Sequence, residues 1–124
     1  MKIEKDLIKQ IEKRLSVLKL TGEVQWYSRL NSGSVKTYYG SYIKLCDKDT
    51  PDYLALMVGR EHPLIAVFIE AKSDTGKLRP GQLLFKQKYA VKECFWYLEL
   101  RDIKQLDEFI YKNVKDFVNE LPKQ

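Results

Sequence analysis

Apolar residues recur every three or four positions at both ends of the chain. The period extends over residues 3–19 and 103–121, and each segment therefore predicts an amphipathic helix with one buried face. Asp102 stands where the N-cap of the closing helix is expected. A middle helix is predicted over residues 80–92, because Pro80 suits the first position of a helix.

Strands are predicted where β-branched and aromatic residues form short runs between turn formers. The run after the middle helix follows it closely enough for a right-handed β-α-β crossover, so its strand is expected to be parallel to the preceding one. The order of elements predicts one α/β domain over residues 1–124, with a mixed β-sheet flanked by helices. The predicted strands are residues 24–30, 34–42, 53–58, 64–72 and 94–100.

Charged residues stand at the open end of a predicted hairpin. Strands 53–58 and 64–72 flank a five-residue loop of turn formers. If the strands pair symmetrically about this loop, Asp52 lies opposite Glu70 on one face of the sheet. Strand alternation then returns Lys72 to the same face.

Two opposed carboxylates repel each other unless a cation lies between them. Oxygen ligands without Cys or His suit a hard ion such as Mg²⁺ or Mn²⁺. A neighbouring lysine can help to deprotonate an attacking water and neutralise charge on a phosphoryl group. Asp52, Glu70 and Lys72 therefore predict metal-dependent hydrolysis of a phosphodiester. The alternative is an exposed strand end with an ordinary charged pair, which contributes about 0 to 1 kcal/mol.

Glu4 has two interpretations. It projects within the apolar stripe of the first helix, and it is either a first-turn carboxylate stabilised by the helix dipole or a third acidic group that faces the site.

Composition narrows the class of protein without deciding it. The 22 Lys and Arg residues exceed the 17 Asp and Glu residues, and the net charge of +5 is compatible with a polyanionic partner. Cys46 and Cys94 lack the spacing of a zinc site, and the single histidine, His62, weighs against mechanisms that need a histidine base. With no apolar signal or membrane span in the sequence, a reduced, cytoplasmic protein without a membrane partner is expected.

Basic residues are candidates for contact with a phosphate backbone. Arg29, Lys36 and the tyrosines at positions 38, 39 and 42 could form a basic, aromatic surface, although such residues also form the packed and solvated faces of an ordinary sheet. The predicted nucleic-acid-binding residues are Arg29, Lys36, Lys77, Arg79 and Lys86.

The charged residues and the helix that follows them resemble a known nuclease pattern. Pro51-Asp52, residues 68–72 (FIEAK), residues 76–78 (GKL) and residues 80–82 (PGQ) resemble the PD-(D/E)xK superfamily in its VRR-Nuc (virus-type replication-repair nuclease) form. The motifs cover about a quarter of the chain, and the order of elements extends the resemblance to nearly all of it.

The resemblance implies a fold, a metal site and a substrate. The implied fold is a restriction-endonuclease-like core of the αβββαβ type. Asp52, Glu70 and the carbonyl of Ala71 would bind Mg²⁺ or Mn²⁺, and Glu4 would match the acidic residue of the family's first helix. Lys72 would be the catalytic lysine, and Gln82 would hold substrate or a metal-bound water. The family often has a Ser cap and an acidic residue around the helix-start proline, where this chain has Arg79 and Gly81.

The expected function is that of a structure-selective DNA endonuclease. Short members of the family resemble archaeal Holliday-junction resolvases in size and act as homodimers, so the resemblance implies cleavage of four-way junctions by a homodimer. Two alternatives stay open: a nuclease for flaps, nicks or plain duplex DNA, and a non-catalytic module that binds nucleic acid through its charges.

Overall fold

The fold alternates helices with strands in the predicted order. The computed structural model describes residues 4–30, 34–36, 38–44, 49–90 and 95–116. Within these residues the helices are α1 (Glu4–Thr21), α2 (Pro80–Tyr89) and α3 (Ile103–Asn113). The strands are β1 (Val24–Arg29), β2 (Ser34–Lys36), β3 (Tyr42–Lys44), β4 (Tyr53–Met57), β5 (Ile65–Ala71) and β6 (Phe95–Leu100).

The main sheet has four strands in the order β1-β4-β5-β6. β1 pairs with β4 and β4 with β5 in antiparallel fashion, whereas β6 is parallel to β5. The sheet is therefore mixed, and the predicted parallel strand after α2 is confirmed. The α/β class with a mixed sheet flanked by helices is also confirmed.

The register between β4 and β5 agrees with the predicted hairpin. Tyr53 pairs with Ile69 and Met57 pairs with Ile65 on either side of the loop. One step further from the loop, this register sets Asp52 opposite Glu70, as predicted.

The two faces of the sheet have different partners. The helices α1 and α3 share one apolar core with the sheet, which includes Leu7 and Ile11 of α1, Val67 and Ile69 of β5, and Leu106 of α3. Helix α2 contributes no residue to this core and packs on the opposite face, where Phe85 and Tyr89 contact the ring of Phe68. The charged residues thus lie on the face that α2 only partly covers.

Two predicted boundaries were wrong. Residues 34–42 do not form one strand: β2 and β3 make a separate two-stranded sheet, and Gly40 in the turn between them adopts a positive φ of 84°, which favours glycine. The closing helix ends at Asn113 instead of continuing to residue 121, because Val114 is extended and forms a bridge with Gly59. Phe117 and Leu121 lie outside the described residues.

The other element ends differ by a few residues. Helix α1 continues to Thr21, past the predicted end at Lys19, and α2 ends at Tyr89. The predicted strands 24–30, 53–58 and 64–72 are each shorter by one residue at the ends that differ, since β1, β4 and β5 span 24–29, 53–57 and 65–71. Ile3, Lys92 and Cys94, which are also predicted ends, lie outside the described residues. The predicted N-cap is confirmed, since Lys104 N–H donates to the Asp102 carboxylate over 2.9 Å. Among the described residues, no helix combines the length and apolar character that a membrane crossing requires.

Tyr53 connects the strand that begins at the charged end of the sheet to helix α1. Its ring is fully buried, and its hydroxyl donates a 3.0 Å hydrogen bond to Glu12. We expect Tyr53→Phe to lower the free energy of unfolding by about 1 kcal/mol, because the bond to a charged acceptor is lost while the ring still fills its space. Tyr38→Phe is the control, since that side chain is 97% exposed. Equal stability of both variants in urea denaturation would contradict this role.

Candidate active site

Asp52 and Glu70 contact each other at the open end of the β4–β5 pair. The Asp52 N–H donates to Glu70 Oε2 over 3.2 Å, and the Ala71 N–H donates to Asp52 Oδ2 over 2.8 Å. Each carboxylate is thus held by the backbone of the opposite strand. The predicted juxtaposition of these two acids is confirmed.

Burial makes both carboxylates hard to ionise, and the charge of Asp52 adds to this effect on Glu70. Glu70 is only 4% exposed, and its pKa is raised to about 7 by burial first and by the charge of Asp52 second. Burial also raises the pKa of Asp52, against the opposing effects of the Ala71 N–H and of Arg29 and Lys72. A cation between the carboxylates would remove the cost of charging them both.

Lys72 and Gln82 both contact Glu70. The Lys72 Nζ lies 3.6 Å from Glu70 Oε1, and the Gln82 Nε2 donates to the same oxygen over 2.7 Å. The side chains of Lys72 and Glu70 are 11% and 5% exposed, so an exposed strand-end pair is the wrong description. The four predicted catalytic residues are therefore brought together.

Gln82 reaches Glu70 because it lies in the first turn of α2. Its Oε1 accepts a 2.8 Å hydrogen bond from the N–H of Arg79, the N-cap residue of the helix. The same amide thus fixes the beginning of α2 with one end and holds Glu70 with the other. Its own burial, at 3% exposed, shows that the contact is enclosed.

Of the predicted metal ligands, Asp52 and Glu70 contact each other in the structure. Each carboxylate of Asp52 and Glu70 has more lone pairs than the hydrogen bonds described above use, which suits a hard cation that keeps some of its waters. Glu4 is exposed in the first turn of α1, and its charge contributes to the raised pKa of Glu70 after the larger effects of burial and Asp52. Within the described ranges, however, no three acidic, histidine or cysteine side chains form a ready metal cluster. The role of the Ala71 carbonyl stays a prediction.

The predicted nucleic-acid-binding residues lie in different surroundings. Arg29, at the end of β1, is close enough to lower the pKa of Asp52, although burial outweighs it. Arg79 precedes α2, and Lys86 of α2 has its Nζ 5.8 Å from the ring centre of Tyr97. Lys77 is exposed in the loop before α2, and Lys36 is exposed on the separate β2–β3 sheet.

Sequence reasoning missed Asp49 at the start of α2. Arg79 Nε lies 3.6 Å from its Oδ1, and its carboxylate occupies the space beside Gly81 where a Cβ would be. An acidic group therefore stands next to the helix-start proline although none follows that proline in the sequence. The glycine at position 81 is the sequence feature that could have indicated this close contact, because any larger residue would overlap the Asp49 carboxylate.

Three residues near the end of β6 were also missed. Glu99 pairs with Glu70 in the β5–β6 register and therefore lies on the same face. Arg101 forms an ion pair with Glu99 and donates a 2.6 Å hydrogen bond to the Ser73 carbonyl. Tyr97 pairs with Phe68 and lies under α2. Their position beside the site depends on the register between the parallel strands β5 and β6, which cannot be predicted from the spacing of residues along the chain.

A surface cavity of about 340 Å³ lies at the opposite end of the hairpin. Its lining includes Gly59, His62, Trp96 and Lys112, and none of the predicted site residues contributes to it. The candidate site is thus a polar cluster under α2 and not this cavity.

Comparisons with models of known protein families, with curated proteins and with solved structures find no match for this chain. The family resemblance stays a prediction.

The raised pKa of Glu70 predicts how stability depends on pH in the absence of metal. In the folded protein Glu70 keeps its proton up to a pKa of about 7, whereas the unfolded chain loses it near 4.5. The folded state therefore binds more protons in this interval, and stability falls as pH rises from about 4.5 to 7. Relative to Glu70→Gln, wild type should lose on the order of 3 kcal/mol across the interval.

Urea denaturation of both proteins in EDTA at several pH values measures this difference. The variant serves as the control, because it keeps the shape of the side chain and removes its titrating proton. Parallel pH profiles for the two proteins would contradict the buried-acid description of Glu70.

Because Asp49 contacts Gly81, the effect of Gly81→Ala on stability should change sign when Asp49 is also replaced. In wild type, Gly81→Ala should destabilise the protein, because the new Cβ overlaps the Asp49 carboxylate. In an Asp49→Ala background the same change should stabilise it by up to about 1 kcal/mol, through the higher helix propensity of alanine. The same effect of Gly81→Ala in both backgrounds, measured by thermal denaturation, would rule out the contact.

Proposed function

We propose that this chain is a metal-dependent DNA endonuclease that hydrolyses phosphodiester bonds. One observation carries the proposal: Asp52 and Glu70 are held together in a largely buried position, with the Lys72 Nζ 3.6 Å from Glu70. Folding around two close carboxylates is costly, and a catalytic metal site is a physical reason for retaining them.

We also propose a restriction-endonuclease-like core of the VRR-Nuc type. The order of helices and strands, the Asp52–Glu70–Lys72 constellation and the contact of Gln82 with Glu70 support this assignment. Asp49 supports it further, because its carboxylate stands beside the helix-start proline, where the family pattern often has an acidic residue.

The cofactor in this proposal is Mg²⁺ or Mn²⁺. Asp52 and Glu70 would hold it, with the Ala71 carbonyl and Glu4 as further candidate ligands. The donor set fits, because it consists of oxygens and because a cation would offset the repulsion by Asp52 that, after burial, raises the pKa of Glu70. When bound, the ion would supply Lewis-acid catalysis of phosphodiester hydrolysis.

The protein's own groups have distinct roles in the proposal. The Lys72 ammonium would position the attacking water as a hydrogen-bond donor and neutralise charge that develops on the phosphoryl group. Gln82 would orient Glu70 and contact substrate or water from the start of α2. Arg29, Arg79 and Lys86 would attract the phosphate backbone toward the site, with Lys36 and Lys77 as more peripheral contacts.

The proposed substrate is branched DNA, with the four-way (Holliday) junction as the first candidate. A homodimer would match this substrate, since symmetric resolution requires two nicks and one small active site cuts one strand. Flaps, nicks and plain duplex DNA are the alternative substrates for the same chemistry.

Removal of either central charged group should abolish cleavage but not binding. We expect Glu70→Gln and Lys72→Ala to lower the rate of cutting of a four-way junction by at least about 100-fold in Mg²⁺, with affinity for the junction within a few-fold of wild type. Glu61→Gln and Lys112→Ala are the controls, because both residues are exposed at the opposite end of the hairpin. EDTA should stop cutting and added Mn²⁺ should restore it.

Undiminished cutting by either site variant would contradict the catalytic assignment. If wild type cuts matched junction, flap and linear substrates at equal rates, the proposed preference for junctions is wrong, but the proposed nuclease activity stands. If metal neither supports nicking nor changes thermal stability, while salt-sensitive DNA binding persists, the chain is a non-catalytic nucleic-acid-binding module.

A further inference from the structure

Tyr97 lies beside the candidate site on the same face of the sheet. In the parallel β5–β6 register Tyr97 pairs with Phe68 and Glu99 pairs with Glu70. Because alternate residues of a strand share a face, Tyr97 and Glu99 project beside Phe68 and Glu70 toward α2. Helix α2 covers the tyrosine, since Phe85 contacts its ring at 6.3 Å between centroids.

The hydroxyl of Tyr97 is buried inside the protein. The residue is 8% exposed, and within the described residues its oxygen is the one buried side-chain nitrogen or oxygen that lacks a hydrogen bond. Burial of an unsatisfied hydroxyl destabilises a fold, and a phenylalanine would make the same ring contacts without that cost. Packing therefore accounts for the ring but not for the hydroxyl.

The surroundings of Tyr97 are acidic. Burial raises the pKa of its hydroxyl, and the charges of Glu70, Glu99, Asp52 and Asp49 raise it further, in that order. The group is thus a protonated O–H donor at neutral pH, close to the two carboxylates of the candidate metal site. An oxygen atom bound beside Glu70 would be a suitable acceptor for this donor.

The enclosure of the hydroxyl limits what that acceptor can be. Phe85 and Lys86 of α2 lie over the ring, and the oxygen itself is closed to bulk solvent. A nucleobase is too large for such a position. A single oxygen atom, from a water or a phosphate group, is an acceptor that suits a phenol O–H donor.

We propose that Tyr97 is a positioning residue of the candidate site, whose hydroxyl donates a hydrogen bond to an oxygen ligand bound beside Glu70. The ligand is either a water in the hydration shell of the divalent cation or a non-bridging phosphate oxygen of DNA. This inference rests on the proposed function, because both ligands require the metal and substrate site described above.

The test compares Tyr97→Phe with wild type and with Tyr89→Phe. The control removes a phenol hydroxyl from the same aromatic cluster, since Tyr89 also contacts Phe68 and Phe85. Thermal denaturation in EDTA comes first. Tyr97→Phe should be at least as stable as wild type, because it loses only an unsatisfied group, and a clear loss of stability would overturn the proposal by giving the hydroxyl a structural role.

Two calorimetric titrations then distinguish the two oxygen ligands. In the first, Mn²⁺ is added to each protein without DNA. In the second, a four-way junction is added to each protein in a buffer with Ca²⁺. This cation is used in place of Mg²⁺ so that binding of the junction can be measured without its cleavage. If Tyr97→Phe binds Mn²⁺ about 3- to 10-fold more weakly than wild type but binds the junction equally well, the ligand is a metal-bound water. If it binds the junction more weakly by the same factor but binds Mn²⁺ equally well, the ligand is a phosphate oxygen.

The inference on Tyr97 and the proposed function fail in different ways. If wild type binds Mn²⁺ and the junction but Tyr97→Phe matches it in both titrations, Tyr97 has no positioning role while the proposed function stands. If wild type itself binds neither ligand, the proposed function fails and the inference on Tyr97 fails with it. An affinity loss of equal size in Tyr89→Phe would also overturn the specific role of Tyr97.

Discussion

The repulsion between the carboxylates of Asp52 and Glu70 is the constraint around which the candidate site is arranged. The antiparallel register of β4 and β5 forces the two groups together, and backbone N–H groups of Asp52 and Ala71 hold them there. The neighbouring side chains each offset part of the resulting electrostatic cost. Lys72 supplies a nearby positive charge and Gln82 a hydrogen bond, yet the pKa of Glu70 is still raised to about 7 by burial and by Asp52.

The carboxylate pair and the apolar core that stabilises the fold lie on opposite faces of the sheet. One face of the sheet packs against α1 and α3 in an apolar core, whereas the face under α2 combines aromatic rings with charged and polar groups. Glu70 lies on that second face and contacts Gln82 of α2, and beside it is Tyr97, whose buried hydroxyl has no hydrogen-bond partner within the described ranges. Concentration of unfavourable groups in one place, beside a well-packed core, is what a binding or catalytic site is expected to show.

The sequence allowed the hairpin site to be predicted because each step of the inference was local. A short loop between two strands fixes an antiparallel register, so Asp52, Glu70 and Lys72 could be placed by counting from the loop. The parallel pairing of β6 was predictable from the crossover rule, but its register was not, since a helix separates the two strands. Glu99 and Tyr97 were missed for that reason. Asp49 was missed because its contact with Gly81 joins segments about 30 residues apart.

The most direct test of the central claim is anomalous X-ray diffraction from crystals of the protein grown with Mn²⁺. The account predicts an anomalous peak within direct bonding distance, about 2 Å, of carboxylate oxygens of both Asp52 and Glu70, on the α2 face of the sheet. Two carboxylates without a metal peak between them, or a peak held by other residues, would contradict the claim that these two acids form a metal-binding site.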